Sequence, residues 1–394
     1  MTRLCVISHA MVHEQNRERW RRLALDYPVD VDLVVPARWE STWFGNLTVW
    51  ESEPSVQGRF AVFPLPTTNC RDWGRYRVRG LGGLLRRRRP DVILAYGEEF
   101  SLVLHQVITL RHFCPPLAGL GFFTWNNLGI ITGRRRWLKR LFWHRVCRGT
   151  TFAIAGNTAG ATLMRDAGYQ RPITVQTEIG IDETVYRPDP TAGAAMRREL
   201  GLEGFVVGFA GRITASKGVL DLFAALEQMA LPREWSLLMV GDGDLRSVLE
   251  DRARQHGWRA VFTGQLEPSA MPDRLRAMDC LVLPSRTCPD WKEQFGLVLA
   301  QAMACGIPVI GSDSGAIPEV IGDVGIVFTE GDIAALADAM RLLWANSDRC
   351  RDHAARGAKR AVSHYGASAL AAQTVSILEN LKASHKTIYC GPNR

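Results

Sequence analysis

The chain reads as an α/β protein made of two doubly wound halves, each with its own parallel sheet. Three observations predict this. Apolar runs of strand length alternate with helical patterns along the sequence, the signature of βαβ units whose sheets are covered on both faces. The alternation occurs twice, with six strand candidates in each half. And 394 residues with 46% hydrophobic content exceed what one core ordinarily needs and suffice for two.

In chain order, the first half places strands at 4–8, 31–35, 91–96, 117–124, 152–155 and 173–177. The second places them at 205–210, 236–240, 260–263, 279–283, 307–310 and 324–327, each followed by a turn signal or an amphipathic segment. Between them YRPDPTAG (186–193), with two prolines, a glycine and no apolar run, is the expected linker. A first Rossmann-like domain is therefore expected over 1–187 and a second over 188–366. Ligands of doubly wound sheets bind beyond the carboxyl ends of the strands, so the two domains are expected to face one another across a cleft holding the active site. The segment 367–383 carries apolar residues at helical spacing and reads as a last helix, with a loose polar tail after Ser384.

Composition narrows the class. No window approaches the roughly 18 to 20 apolar residues of a membrane span, and the N-terminus reads as a first strand rather than a leader. Nine cysteines, scattered and never in a CxxC pair, argue against a disulfide framework and a zinc site and fit a reducing cytoplasm. The net charge of +8 is uneven: residues 1–190 hold 26 Lys and Arg against 17 Asp and Glu. This basicity concentrates in 75–90 and in 133–148, where Trp137, Leu138, Leu141, Phe142 and Trp143 interleave with cations. Such a stretch suits an anionic membrane surface or a phosphorylated acceptor better than nucleic acid, and a solvated arginine-rich helix face is the plain alternative. No nucleic-acid partner is expected.

Three motifs carry chemistry. After the strand 205–210 comes GRITASKGVLDL, where Gly211 permits a tight turn and Arg212 and Lys217 sit just before a helix start. Two cations beside free backbone N–H groups make a diphosphate site. It is neither a Walker loop nor GxGxxG, and a plain surface loop is the alternative. In LLMVGDGDLRSVLE, Gly241 and Gly243 let backbone approach a ligand, while Asp242 and Asp244 suit the cap of a helix starting near Leu245. In EQFGLVLAQAMACGIPVIG, Glu293 precedes a helix opened by Gly296 and Leu297, and a carboxylate there suits the vicinal hydroxyls of a sugar. Gln301 lies eight residues on, about two turns or roughly 12 Å by helical rise, within reach of another part of one extended ligand such as its ribose.

Taken together, GFAGRITASKGVLDL, LMVGDGDLRSVLE, VFTGQLEP, EQFGLVLAQAMACGIPVIGSDSGAIPEVI and, earlier, EIGIDETVYRP resemble the retaining, nucleotide-sugar-dependent glycosyltransferases of family 4, which have the GT-B fold. The resemblance covers about 178–330 strongly and the first half weakly. It implies that Arg212 and Lys217 hold the donor diphosphate, that Glu293 contacts the transferred sugar, and that the backbone of Phe295, Gly296 and Leu297 contacts sugar and phosphate. It implies as well that Leu266 lies near the base, Gly180 near the cleft, and that 367–394 crosses back to the first domain. The implied reaction moves a hexosyl group from a nucleotide diphosphate sugar to an acceptor hydroxyl, with retention, no cofactor and no metal. The nucleotide sugar is then a co-substrate and the acceptor a glycan, lipid-linked or small molecule; the basic aromatic face points to cell-surface glycan or glycolipid assembly at the inner membrane face, with a soluble natural product as the alternative.

This sequence departs from the family pattern twice. Where the family has a second glutamate it has Gln301, which loses charge assistance toward a ribose hydroxyl. Where many members have a histidine after the fourth strand it reads GFFTWNNLG, and Asn126 is the candidate for that place, with Trp125 as packing. In the first half, His9, His13, Asn16 and Arg17 are candidates for the cleft, Arg17 toward phosphate. Of Glu98 and Glu99, one is expected to meet acceptor or donor and the other to be solvated. The alternative readings are a sugar-nucleotide epimerase or phosphorylase of the same architecture, or a catalytically weak transferase-like binding subunit.

Overall fold

The computed structural model describes residues 1–43, 46–113, 118–131, 136–229 and 234–389. Residue 117 of the fourth strand candidate, residues 133–135 of the basic stretch, Cys114 and Cys390 lie outside these. The chain forms two compact units: Met1–Gly180 with Gly366–Arg394, and Ile181–Tyr365.

In the first unit eight strands form one sheet in the order Ile173–Val175, Phe152–Ala155, Gly119–Thr124, Val92–Tyr96, Thr2–Ser8, Val29–Pro36, Phe60–Leu65, Ser55–Gln57. Neighbours run parallel except the last pair. The six strands expected from the sequence are all present. Phe60–Leu65 was not expected because Pro64 interrupts its pattern, and proline is tolerated only where a ladder N–H is not needed. The hairpin Arg38–Trp43 with Asn46–Glu51 was not expected either.

Apolar residues cover both sheet faces, which is why these strands read as near-continuous hydrophobic runs. One core gathers Ile7, Leu84, Leu104, Phe122 and Trp143, the other Leu4, Trp20, Leu33, Phe123 and Leu378. The second core is closed by the helix Ala367–Tyr389, which packs on the helix Glu18–Asp26. That last helix runs on past Ser384, where a loose tail was expected.

Arg19 fixes this closure. It is 1% exposed. Its guanidinium donates to the Thr177 carbonyl at 3.0 Å, to Thr374 Oγ1 at 2.9 Å and to Gln176 Oε1, so that one cation joins three segments. Burial alone pulls its pKa down, while Tyr96 and Glu178 nearby support the charge. Leaving buried acceptors without their donor costs roughly 1–3 kcal/mol. Arg19→Met is accordingly expected to lower the stability of the first unit by about that much in denaturant unfolding, and to expose the segment after Gly366 to limited proteolysis; wild-type stability would contradict the assignment.

The second unit has six parallel strands in the order Ala260–Gly264, Trp235–Val240, Phe205–Ala210, Cys280–Leu283, Val309–Ser312, Ile326–Phe328. All six expected strands are there. The expected linker is not a linker. Asp189 Oδ1 accepts from the Ala192 N–H at 2.9 Å, Pro190 opens the helix Pro190–Leu200, and left-handed Gly201 closes it. The proline that suggested a linker is helix punctuation, and Gly193 lies inside the helix. Arg276 donates to the carbonyls of Val185 (2.5 Å) and Arg187 (3.0 Å), tying the approach to that helix into the second unit.

Candidate functional site

In the second unit the strand order reverses between Phe205–Ala210 and Cys280–Leu283, and ligand crevices of such sheets lie at that switch point. The loops there are locked together by backbone. Gly218, at φ +67°, lies so close to the next loop that a Cβ would come within 1.7 Å of the Pro284 carbonyl oxygen. Gly241, at φ +128°, similarly leaves 2.0 Å to the Gly211 carbonyl oxygen. No side chain fits at either place. Arg286 adds a bidentate bond to Asp221 (2.5 and 2.9 Å), and its N–H donates to the Ser216 carbonyl at 2.9 Å.

On this frame Lys217 Nζ meets Glu293 Oε2 at 2.6 Å, with the side chains 14% and 8% exposed. Ser285 Oγ donates to the same carboxylate oxygen at 2.8 Å. The ammonium also lies 4.6 Å from the centroid of the Trp291 ring, a cation–π distance. Trp291 is held by paired backbone bonds with Cys288. Arg212, on the loop that carries Lys217, is exposed, and no described residue takes its guanidinium. The helices Val219–Gln228 and Leu297–Ala304 begin at Gly218 and Gly296, and no side chain caps either start. Two uncapped N-termini, two cations and a desolvated carboxylate thus converge on one switch point, an arrangement that can hold an anion beside a polyhydroxy group.

The remaining expected donor contacts are placed as follows. Phe295 is buried with its ring edge-on to Tyr365 at 5.2 Å, so its side chain packs and its backbone is what faces the helix start. Leu266 is half-buried on the loop after Ala260–Gly264. Gln301 is one turn into its helix, not two, because Glu293 lies in the loop before it. Its Nε2 donates to Tyr186 Oη at 3.0 Å, a contact invisible in the local sequence. Asp242 does not cap the following helix: it accepts from the Gly243 N–H and pairs with Arg246 at 3.2 Å. Asp244 does not cap it either, since Leu245 holds the cap position with no side-chain bond.

In the first unit the switch point lies between Thr2–Ser8 and Val92–Tyr96. Three carboxyl groups gather past the strand ends. Glu99 is 1% exposed rather than solvated, accepting from Asn126 Nδ2 at 2.6 Å and Thr124 Oγ1 at 3.0 Å. Glu178 accepts from Trp125 Nε1 at 3.0 Å and Ser8 Oγ at 3.3 Å. Glu98 is half-buried; burial and then the Glu99 charge push its pKa up to about 7. Burial likewise pushes Glu178 up to about 7. Among the described residues no group of three or more His, Cys, Asp or Glu forms a metal site.

Several first-unit candidates are instead structural. Asn126 spends its amide on Glu99 and the Gly129 carbonyl (3.1 Å), and its oxygen accepts from the N–H groups of Leu128 and Gly129, leaving little for a sugar. Arg17 is buried and spent on the Met11 and Val12 carbonyls at 2.7 and 3.1 Å, so it does not reach for phosphate. Asn16 Nδ2 braces the same turn through the Ala10 carbonyl. His9 packs 5.1 Å from Trp39 and 5.8 Å from Tyr76, and burial lowers its pKa to about 4, which keeps it neutral. His13 stands edge-on to Trp50. Gly180 is a packing position, where a Cβ would lie 2.9 Å from Ala367 Cα. The residues that sequence reading missed are Arg19, Glu178, Tyr186, Ser285 and Trp291. Of these Glu178 and Tyr186 fall in the motif EIGIDETVYRP and Trp291 stands two residues before Glu293, while Arg19 and Ser285 had no local signal.

The carboxyl pKa shifts have a signed consequence. Between the ordinary carboxylate value of 4.5 and about 7, the unfolded chain has released the Glu98 and Glu178 protons while the folded unit keeps them. Their contribution is complete below 4.5 and declines as pH rises to about 7. Urea midpoints of the first unit are therefore expected to fall between about pH 5 and about pH 8, with Glu98→Gln and Glu178→Gln each flattening the fall; a slope unchanged in both variants would contradict the burial argument.

Residues 204–346 match the family described as Glycosyl transferases group 1. The chain is 32% identical over 222 residues to alpha-maltose-1-phosphate synthase of Mycolicibacterium smegmatis, covering 52% of this chain and 56% of that protein. It is 34% identical over 212 residues to a D-inositol 3-phosphate glycosyltransferase of Xylanimonas cellulosilytica, covering 50% and 49%. To the lipopolysaccharide core biosynthesis mannosyltransferase LpsB of Rhizobium meliloti it is 30% identical over 237 residues, covering 56% and 65%. The chain thus spans between 49% and 65% of the length of these relatives. Sucrose-phosphate synthase of Thermosynechococcus elongatus superposes with a TM-score of 0.70 at 18% identity, over 98% of this chain and 100% of that one. HepE of Anabaena in complex with UDP gives 0.70 at 18% identity, over 96% and 100%. At such identities the structural likeness establishes the fold. The segment 204–346 thus carries the likeness to the group 1 glycosyl transferases, and the chain as a whole has the GT-B fold of these solved structures.

Proposed function

We propose that this chain is a retaining glycosyltransferase that moves a sugar from a nucleotide diphosphate sugar to an acceptor hydroxyl in bacterial glycan or glycolipid assembly. The observation that carries this reading is the Lys217–Glu293 pair, sequestered at the switch point of the unit that matches the family. An ammonium has three donors. One is spent on Glu293, and the others remain for phosphate oxygens, while Glu293 offers acceptor lone pairs to sugar hydroxyls. The HepE structures solved in complex with UDP and with UDP-glucose make uridine nucleotides the first donors to test.

In the reaction proposed, the bond from the anomeric carbon to the diphosphate oxygen breaks, and its electron pair leaves with the nucleoside diphosphate. The acceptor oxygen bonds to the same face of that carbon, and its proton passes to a donor phosphate oxygen. Charge grows on the leaving diphosphate, so Lys217, Arg212 and the helix starts at Val219 and Leu297 stabilise the transition state more than the ground state, without a metal ion. No protein nucleophile or base is assigned. Gln301 keeps one acceptor oxygen for a ribose hydroxyl, since its amide nitrogen faces Tyr186.

Incubation with a panel of nucleotide sugars is expected to release nucleoside diphosphate. Arg212→Ala and Lys217→Gln are each expected to lower kcat/KM by about 10²–10³-fold. Arg212 is exposed, so its loss reports on the reaction rather than on folding. Interconverted nucleotide sugars would support an epimerase, sugar phosphate formed from inorganic phosphate a phosphorylase, and binding without turnover a binding subunit. Normal turnover by either variant overturns the assignment of the diphosphate site.

A further inference from the structure

We propose that the exposed face of the helix Arg136–Gly149 docks on anionic membrane lipid. The inference goes beyond the transfer reaction and does not depend on it. The helix anchors itself inward through Trp143 and Val146, buried among Leu84, Leu104 and Val107. Its outward face is not the polar surface such an anchored helix usually shows. Trp137 is 72% exposed and Leu141, one turn on, 63% exposed. Beside them Arg136, Arg140, His144 and Arg148 recur at four-residue intervals, all exposed, and so form one stripe along the helix.

The charge is one-sided. From Phe100 to Arg165 the sequence contains no Asp or Glu, so no acidic residue of this stretch neutralises the stripe. The helix Leu81–Arg88 packs into the same core through Leu81, Leu84 and Leu85, on the same side of the sheet, and its last turn is Arg86, Arg87 and Arg88. Arg88 is committed to Asp32 at 2.6 Å, and Arg145 to Thr109 Oγ1 at 2.6 Å, so neither counts toward the surface.

The apolar pair decides among the possible occupants. A merely solvated arginine face has no use for an exposed Trp and Leu on its centre line. Nucleic acid would engage the arginines, but an aliphatic Leu141 gains nothing from phosphates. A bilayer surface satisfies both sets: arginines meet lipid phosphates while Trp137 and Leu141 enter the headgroup–acyl boundary. No helix among the described residues is long and apolar enough to cross a membrane, so the contact proposed is peripheral.

Co-sedimentation of the full chain with phosphatidylcholine vesicles, with and without about 30% phosphatidylglycerol, tests this. Binding is expected to the anionic vesicles, at least about tenfold weaker to neutral ones, and weakened by salt. Trp137→Ala with Leu141→Ala should weaken anionic binding by about tenfold or more, and Arg136→Gln with Arg140→Gln and Arg148→Gln by about a hundredfold, at roughly fivefold per arginine. Removing three exposed arginines elsewhere (Arg198→Gln, Arg254→Gln, Arg349→Gln) should leave binding near wild type. Unchanged melting temperatures confirm that the variants fold. Equal binding to both vesicle types, no binding to either, variants that bind like wild type, or displacement from vesicles by an oligonucleotide would each overturn the proposal. Vesicle binding needs no donor turnover, so its failure leaves the transferase reading untouched, and the reverse.

Discussion

An ammonium and a carboxylate are held together out of water where two loops cross at the sheet's switch point, and the rest of the site depends on them. Burying either charge alone would cost several kcal/mol, so Lys217 and Glu293 justify one another. Neither could be removed without leaving its partner exposed to a low dielectric. Stability is a poor reason for such a pair, because well-packed apolar residues would serve as well. A site that must present a cation to one part of a ligand and a carboxylate to the adjoining part is a better one. The glycine at 218 follows from that demand, since only a backbone without a side chain lets the loop of Lys217 approach the Pro284 carbonyl so closely.

The strands were legible because parallel strands buried on both faces carry unbroken apolar runs, and all twelve expected strands exist. The boundary between the units was less so. Pro190 and Gly193 mean the same in a joint and in a capped helix, and only the Asp189 bond to the Ala192 N–H decides. Gly193 lies inside that helix because a Cβ there would meet the Arg276 carbonyl oxygen at 2.5 Å, a constraint set 83 residues away and silent in the local pattern. The proline in Phe60–Leu65 hid a strand for the same reason: its ladder context is tertiary.

Site chemistry followed the same division. Lys217 and Glu293 could be picked because each stands at a strand-to-helix junction with glycines around it. Arg17 and Arg19 are alike in sequence, yet one braces a turn and the other ties the last helix to the first unit. Asn126 was the candidate for the place of the family histidine, whereas its amide closes its own loop and satisfies Glu99. Gln301 reads as a weakened glutamate until Tyr186 is seen beside it, 115 residues away in sequence. An amide that donates to the half-buried Tyr186 does something a carboxylate cannot, so the departure from the family pattern has a partner of its own.

The most direct measurement of the central claim is calorimetric titration of UDP and UMP into the wild-type chain and into Lys217→Gln. If Lys217 clasps the second phosphate, the wild type prefers UDP, and the variant loses about tenfold or more of that preference while UMP affinity changes little. The same UDP-to-UMP ratio in both proteins would contradict the account.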